Sequence, residues 1–339
     1  VQQLFELTRQ LVDIESVTGA EGAVADFVVS WLRERSFDVG LLPVSPGRAN
    51  VFATLGRPDV VLSTHLDTVA PFFPSSEDAE WIYGRGSCDA KGCLACQAIA
   101  ADQLARAGVR DFGLLFLAGE EWLSDGARAA NQSPPGSRFL VMGEPTDNRL
   151  IVATKGVLQL HLRTRGRTAH SAYPYLGDSA IETLLDLLGE LRAMPLPLDP
   201  VLGPTTMNIG LISGGLAANV VPDAAEATIL YRTVDAGAGL RRRIEALLDG
   251  RAEFTVLRHT PPTRMEKLPG FEISVASFTT DVPSLDRWGR PLLLGPGSIL
   301  LAHTAEERVR KDELSEAVEI YRKLVLELKA RCANEEKIR

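Results

Sequence analysis

Histidine, aspartate and glutamate gather in this chain where short apolar runs end. Val60-Val-Leu-Ser-Thr64 leads straight into His65-Leu-Asp67. Phe112-Gly-Leu-Leu-Phe-Leu-Ala118 leads into Gly119-Glu-Glu121, and Phe139-Leu-Val-Met142 into Gly143-Glu-Pro145. Such runs are what strands buried on both faces of a parallel sheet look like. Open α/β sheets bind ligands beyond the carboxyl ends of their strands. Three neighbouring strands would therefore bring His65, Asp67, Glu120, Glu121 and Glu144 to one rim. Asp89 lies in the loop Tyr83-Gly-Arg-Gly-Ser-Cys-Asp-Ala-Lys-Gly92, just before an Ala-rich helix whose positive end favours a carboxylate. His303 closes Gly295-Pro-Gly-Ser-Ile-Leu-Leu-Ala-His303 after a further strand. Carboxylates this crowded cannot all stay ionised without a cation. Imidazole with carboxylate suits zinc, and also cobalt or manganese. Two histidines and three carboxylates, one of them bridging, are enough for two metals roughly 3.5–4 Å apart. Taken singly, each piece has a plainer reading. His-x-Asp is often a satisfied loop histidine, adjacent glutamates are often a solvated pair, and Gly-Glu-Pro is a common turn. The weight rests on their joint order at strand ends.

The elements around these residues predict an α/β domain with a mostly parallel sheet. Residues 2–14 and 21–35 carry apolar positions at helical spacing, among them Leu4, Leu7 and Leu11, then Val24, Val28 and Leu32. Ala90 to Ala107 reads as a helix stopped by Gly108. The middle of the chain differs. Residues 159–164, 207–213 and 225–232 alternate apolar and polar side chains, as half-exposed antiparallel strands do. Helical stretches at 179–194 and 239–248 accompany them, and Pro261-Pro262 marks an exit. Residues 290–294 then return to a short apolar strand, and Lys311 to Ala330 form an amphipathic helix. The expected plan is a catalytic domain of residues 1–154 and 266–339, interrupted by an α+β domain of residues 155–265.

Composition narrows the classes of function. The 339 residues carry a formal net charge of −8, which argues against a nucleic-acid surface. No apolar run reaches the roughly 18–20 residues of a membrane helix. Val1 onward shows no basic stretch leading into an apolar core, so cytoplasm is the expected compartment. Cys93 and Cys96 form one C-x-x-C with no second pair to complete a structural zinc site. They read as apolar packing on a helix, with a redox pair as the alternative.

The ordered set H-L-D, G-R-G-S-C-D-A-K-G, G-E-E, G-E-P-T, R-T-A-H-S-A-Y-P, N-V-V-P-D and G-P-G-S-I-L-L-A-H-T resembles the M20 metallopeptidases and acylamino-acid deacylases, from about His65 to His303. Within that family the resemblance is strongest to acetylornithine deacetylase and succinyl-diaminopimelate desuccinylase. It implies a zinc-exopeptidase-like sheet flanked by helices, with an inserted ferredoxin-like lid and dimerisation domain. It implies that Asp89 bridges two metals, most simply zinc, with His65 and Glu144 at one site and Glu121 and His303 at the other. Asp67 would bond the far nitrogen of His65 and fix its tautomer. Glu120 would be the general base toward a water acidified by the metals. His170 would reach the other subunit's active site and steady the oxyanion. Asn219 would touch substrate, and Arg232 would bind its α-carboxylate through a planar guanidinium. From the residues alone, His170 reads more often as a structural histidine, and Arg232 reads equally as a strand-end ion pair. His161 and His259 match nothing in the family pattern.

The expected activity is therefore hydrolysis of an N-acyl-amino acid by a homodimer, with an N²-acetyl basic amino acid such as N-acetylornithine leading and a role in arginine biosynthesis. A carboxypeptidase or dipeptidase, or an N-succinyl desuccinylase, is the alternative within the class. A binding-only relative would lack Glu120 or a ligand, and none is missing. Three departures from the family pattern stand out. Cys88 directly precedes Asp89, the bulky Trp122-Leu-Ser-Asp125 follows Glu121 where it could reshape a substrate pocket, and the chain is short for the family.

Overall fold

The computed structural model describes residues 1–122 and 124–337. Leu123, in the bulky segment after Glu121, lies outside the described residues. Two compact units emerge. One comprises Val1–Val152, Met265–Ser274 and Thr280–Arg339, and the other Ala153–Arg264 with Val275–Thr279.

The first unit is built on a mixed sheet. Its centre is parallel. Val60–His65 runs parallel to Phe112–Leu117 on one side and to Phe139–Met142 on the other, and Arg290–Leu293 runs parallel to Phe139–Met142. Val60 is level with both Phe112 and Phe139, so these strands start together; His65 is level with Leu117, and Met142 stops level with Ser63. Outside this centre the pairing is antiparallel. Arg48–Leu55 lies against Phe112–Leu117, and Asp38–Ser45 folds back on Arg48–Leu55 as a hairpin. The central strands read as continuous apolar runs because both faces are covered. The hairpin was not expected from the sequence. Its outer strand carries Gly40 and Pro43 and is largely exposed, and an edge is where a sheet tolerates proline.

On one face, Val60, Leu62, Leu114, Phe116, Phe139 and Val141 share a core with the helices Gln2–Asp13, Gly22–Arg33, Lys91–Arg106 and Lys311–Lys337. Lys91–Arg106 is buried along nearly its whole length, which is why it is rich in alanine and small cysteines. All four cysteines are free and buried. Burial pushes the Cys93 and Cys96 thiols well up, which favours the protonated, packing form. A small antiparallel sheet of Ser76–Glu77, Trp81–Tyr83 and Arg308–Arg310 ties the loop before Asp89 to the loop after His303.

The second unit is a four-stranded antiparallel sheet in the order Thr206–Gly214, Ala224–Thr233, Gly156–Arg165, Glu253–Thr260. The helices Ala180–Ala193 and Ala238–Leu248 cover one face, where Leu160, Leu184, Ile229 and Ile244 are buried together. Strand, helix, two strands, helix, strand is the ferredoxin-like succession. Ser179 caps the first helix by accepting the Glu182 N–H at 3.3 Å. Among the described residues no helix is long and apolar enough to cross a membrane.

Candidate metal centre

Three of the four central strands lead directly into residues of the cluster. His65 is the last residue of its strand, Glu120 and Glu121 follow Phe112–Leu117, and Glu144 follows Phe139–Met142. His303 comes from a turn-rich segment and holds a left-handed backbone at φ 62°, uncommon for a residue with a Cβ. Asp89 lies two residues before the helix Lys91–Arg106.

The side chains converge around Asp89. Its Oδ1 lies 3.0 Å from His65 Nε2 and its Oδ2 lies 3.3 Å from His303 Nε2. Each carboxylate oxygen thus faces a different imidazole. His303 Nε2 is also 3.0 Å from Glu121 Oε1, and His65 Nε2 is 4.0 Å from Glu144 Oε2. Ligand atoms of His65, Asp89 and Glu121 all fall within 4.8 Å of one another. Glu144 keeps Oε1 buried with no hydrogen-bond partner among the described residues.

Asp67 stands against the far nitrogen of His65 through both main chain and side chain. The Nδ1 of His65 meets the backbone carbonyl of Asp67 at 2.9 Å and its carboxylate at 3.5 Å. That carboxylate also accepts the Thr18 hydroxyl at 2.7 Å and the backbone N–H groups of Glu120 at 3.1 Å and Glu121 at 3.2 Å. It therefore fixes the turn that carries two candidate functional glutamates. A second anchor stands behind that turn. Arg48 grips Glu21 through Nε and Nη2, at 2.8 and 2.7 Å, and Asp125 through Nη1 at 2.6 Å. Gly119, at φ 74°, passes so close that a Cβ there would sit 2.0 Å from Asp125 Oδ1.

The electrostatics describe an excess of negative charge out of water. Burial pushes Glu120 and Glu144 well above the ordinary carboxylate range, and Glu144 and Asp281 add to the effect on Glu120. Burial also raises Glu121, against the pull of its bond to His303. Burial alone would raise Asp89, but its bonds to His303 and His65 outweigh it and hold the group low. Those bonds, from Asp89 and Glu121, push His303 up to about 10. His65 is raised too, its burial outweighed by Asp67, Asp89 and Glu144. Crowded carboxylate and imidazole donors, one oxygen left unpartnered, fit divalent cations.

Two buried acids near this cluster were not read from the sequence. Asp281 is fully buried beside the Ser124 side chain, and no backbone N–H bonds either of its oxygens among the described residues. Burial, with the charge of Asp67, outweighs the pull of Ser124 and pushes it up to about 7. Glu307 is also buried, and it bonds the backbone around Asp89. Its position four residues after His303 was the one available signal.

The remaining sequence candidates lie in the second unit. His170 is exposed and accepts the Ala172 N–H on Nδ1 at 3.1 Å, which leaves the Nε2 hydrogen free to donate. Asn219 is exposed, and its backbone carbonyl accepts the Ser171 N–H at 3.0 Å. Arg232 is half-buried and has no carboxylate partner among the described residues. Its Nη1 meets only the Thr279 hydroxyl, at 3.4 Å. Burial and the nearby Arg258 charge lower its pKa.

Residues 152–254 match the peptidase dimerisation domain of the M20 family. A peptidase M20 domain-containing protein of Schizosaccharomyces pombe is 38% identical over 336 residues, covering 95% of this chain and 84% of that protein. A probable carboxypeptidase of Aspergillus clavatus is 38% identical over 369 residues, covering 95% and 82%. The chain belongs to the M20 peptidase family, whose members are metal-dependent hydrolases of amide bonds. Its fold is that of a tripeptidase from Staphylococcus aureus, with TM-score 0.81, 20% identity, and 97% and 98% of the two chains covered. It is shared as well with a dinuclear metal-binding M20 peptidase of Bacillus subtilis, with TM-score 0.71, 17% identity, and 97% and 98% covered.

Proposed function

We propose that this chain is a two-metal peptidase that cleaves the amide bond next to a free C-terminal carboxylate, as a carboxypeptidase or dipeptidase does. The observation that carries the hydrolytic reading is Asp89, with one oxygen toward His65 and the other toward His303. In this reading His65 and Glu144 would hold one ion, Glu121 and His303 the other, and Asp89 would serve both. Zinc fits the donors best, and cobalt and manganese fit too. When bound, such ions polarise the scissile carbonyl and make water more acidic. Glu120, in the turn held by Asp67, accepts a proton from the attacking water and passes it to the leaving nitrogen. The free Nε2–H of His170 donates to the carbonyl oxygen as it gains charge. Arg232, a guanidinium with no acidic partner among the described residues, takes the substrate α-carboxylate, and Asn219 adds a polar contact.

Relatives named as carboxypeptidases favour a peptide substrate over N-acetylornithine. An N-acyl-amino acid offers the same amide beside the same carboxylate, so deacetylation and desuccinylation remain the second reading, carried by the Gly295–His303 motif.

The test is turnover of dipeptides, tripeptides and N-acetyl and N-succinyl amino acids by zinc-loaded protein, beside C-amidated versions and a chelated control. The expected result is cleavage of free-carboxylate peptides that stops with chelator and returns with zinc. Equal cleavage of C-amidated peptides would sink the role of Arg232. A clear preference for N-acetyl basic amino acids would reinstate the deacetylase.

A further inference from the structure

Glu306 and Glu307 are neighbours with opposite fates. Glu306 projects into solvent, with its side chain 83% exposed, and Glu307 is sealed at 1%. Glu307 Oε1 accepts the backbone N–H groups of Gly86 at 2.9 Å, Asp89 at 3.1 Å and Cys88 at 3.3 Å. Its Oε2 accepts Arg85 Nη1 at 2.5 Å. Arg85 is itself buried, and its Nε donates to the Pro71 carbonyl at 3.2 Å. The backbone is registered as well. The Glu307 carbonyl accepts the Gly84 N–H at 3.1 Å, and Arg308 then pairs with Tyr83.

We propose that Glu307 is a positioning residue that sets the metal affinity of the candidate centre by fixing the main chain at Asp89. The inference rests on the two-metal reading above. The segment 303–307 grips Asp89 at two points: His303 faces its carboxylate Oδ2, and Glu307 takes its N–H. A carboxylate placed between two imidazoles has to be held to a fraction of an ångström, and its own side chain cannot do this while its backbone moves. A buried ion pair is a poor device for stability alone, because desolvation offsets most of its attraction. This pair aims three backbone donors at one acceptor, all within the loop that ends in Asp89. Groups that orient metal ligands from behind typically set affinity by about 10–100-fold.

The experiment is zinc titration of chelator-stripped full-length protein, wild type beside Glu307→Ala and Glu307→Gln, with the visible spectrum of the cobalt-loaded forms. Glu307→Ala is expected to bind zinc about 10–100-fold more weakly and to shift the cobalt bands. Glu307→Gln keeps an acceptor oxygen for the three N–H groups and is expected to recover part of that loss. Unchanged zinc affinity in both variants, with only a lower unfolding midpoint of the metal-free protein, would mean a purely structural role and overturn the proposal. Should Glu307→Ala not fold, Glu307→Gln decides: weaker zinc supports the role and unchanged zinc overturns it. Wild-type protein that binds no zinc would instead overturn the two-metal reading itself, and this inference with it.

Discussion

Glu120 has a task distinct from its neighbour Glu121, although the two are adjacent in sequence. Both depend on Asp67 for their backbone placement, but Glu121 faces His303. Glu120→Gln is therefore expected to lower kcat by roughly 10²–10⁴-fold. Metal content, measured on the same sample, should stay at the wild-type level, and a parallel loss of metal would reassign Glu120 as a ligand. The titrating groups give a second expectation. In metal-free protein, Glu120, Glu144 and Asp281 have raised pKa values, as do His65 and His303. Each raised group binds its proton more tightly folded than unfolded. Its contribution is complete below the unfolded value and is lost as pH rises toward the folded one, about 7 for Asp281 and about 10 for His303. The lowered Asp89 acts in the opposite sense, at more acid pH. Metal-free protein should thus lose thermal stability from about pH 5 to about pH 8, while zinc-loaded protein, whose ligands no longer need protons, should lose less. A gap between the two melting temperatures that does not widen with pH would contradict the shared-cation view of the site. The five candidate ligands were legible because apolar runs announced the strand ends on which four of the cluster's groups stand. Asp281 and Glu307 were not, because a buried carboxylate looks like a solvated one until the N–H groups facing it, or their absence, are known.

Strand ends can form a site only if helices and neighbouring strands fix them, and two glycines show how tightly. A Cβ at Gly143 would lie 2.5 Å from Gln97 Nε2 and 2.9 Å from the Tyr321 hydroxyl. One at Gly295 would lie 2.6 Å from the Glu144 carbonyl and 2.7 Å from Cys93 Sγ. The ends of two parallel strands thus rest on the helix Lys91–Arg106 and on the last helix, through Cys93 and Tyr321. This is the packing use of the C-x-x-C pair. Gly295→Ala is expected to cost about 1–3 kcal/mol as an overpacked site, read from the urea midpoint. It should also weaken zinc binding, because the displaced carbonyl belongs to Glu144. Unchanged zinc binding with full loss of stability would separate the packing from the site. At this scale the central parallel strands and all four long helices of the first unit were readable from periodicity and apolar runs. Two antiparallel edge strands, one in each sheet, were not. Asp38–Ser45 is interrupted by Gly40 and Pro43, and Glu253–Thr260 mixes charges into an edge strand, so neither presents a clean period of two.

The second unit leaves one sheet edge open. Among the described residues, Thr206–Gly214 has a strand partner on one side only, and it carries Leu211 at 70% and Ile212 at 55% exposure, with Leu216 at 93% just beyond. An unpaired edge with apolar side chains is a template for another chain. Its place within a matched peptidase dimerisation domain makes a second copy of this chain the expected partner. Self-association through such an edge has a kinetic consequence if His170 serves the partner's reaction. Neither Glu120→Gln nor His170→Ala protein should turn over well alone. Mixed dimers of the two would contain one site with an intact Glu120 and a partner's intact His170. Mixing the variants after reversible dissociation should therefore restore a fraction of wild-type turnover, and Leu211→Lys with Ile212→Lys in both chains should abolish that recovery. Light scattering on the same samples reports the oligomer directly. A dimer that forms but shows no recovery on mixing would place His170 in its own subunit's reaction or outside the reaction. A monomer with full activity would remove the cross-subunit mechanism and leave the open edge as an ordinary surface.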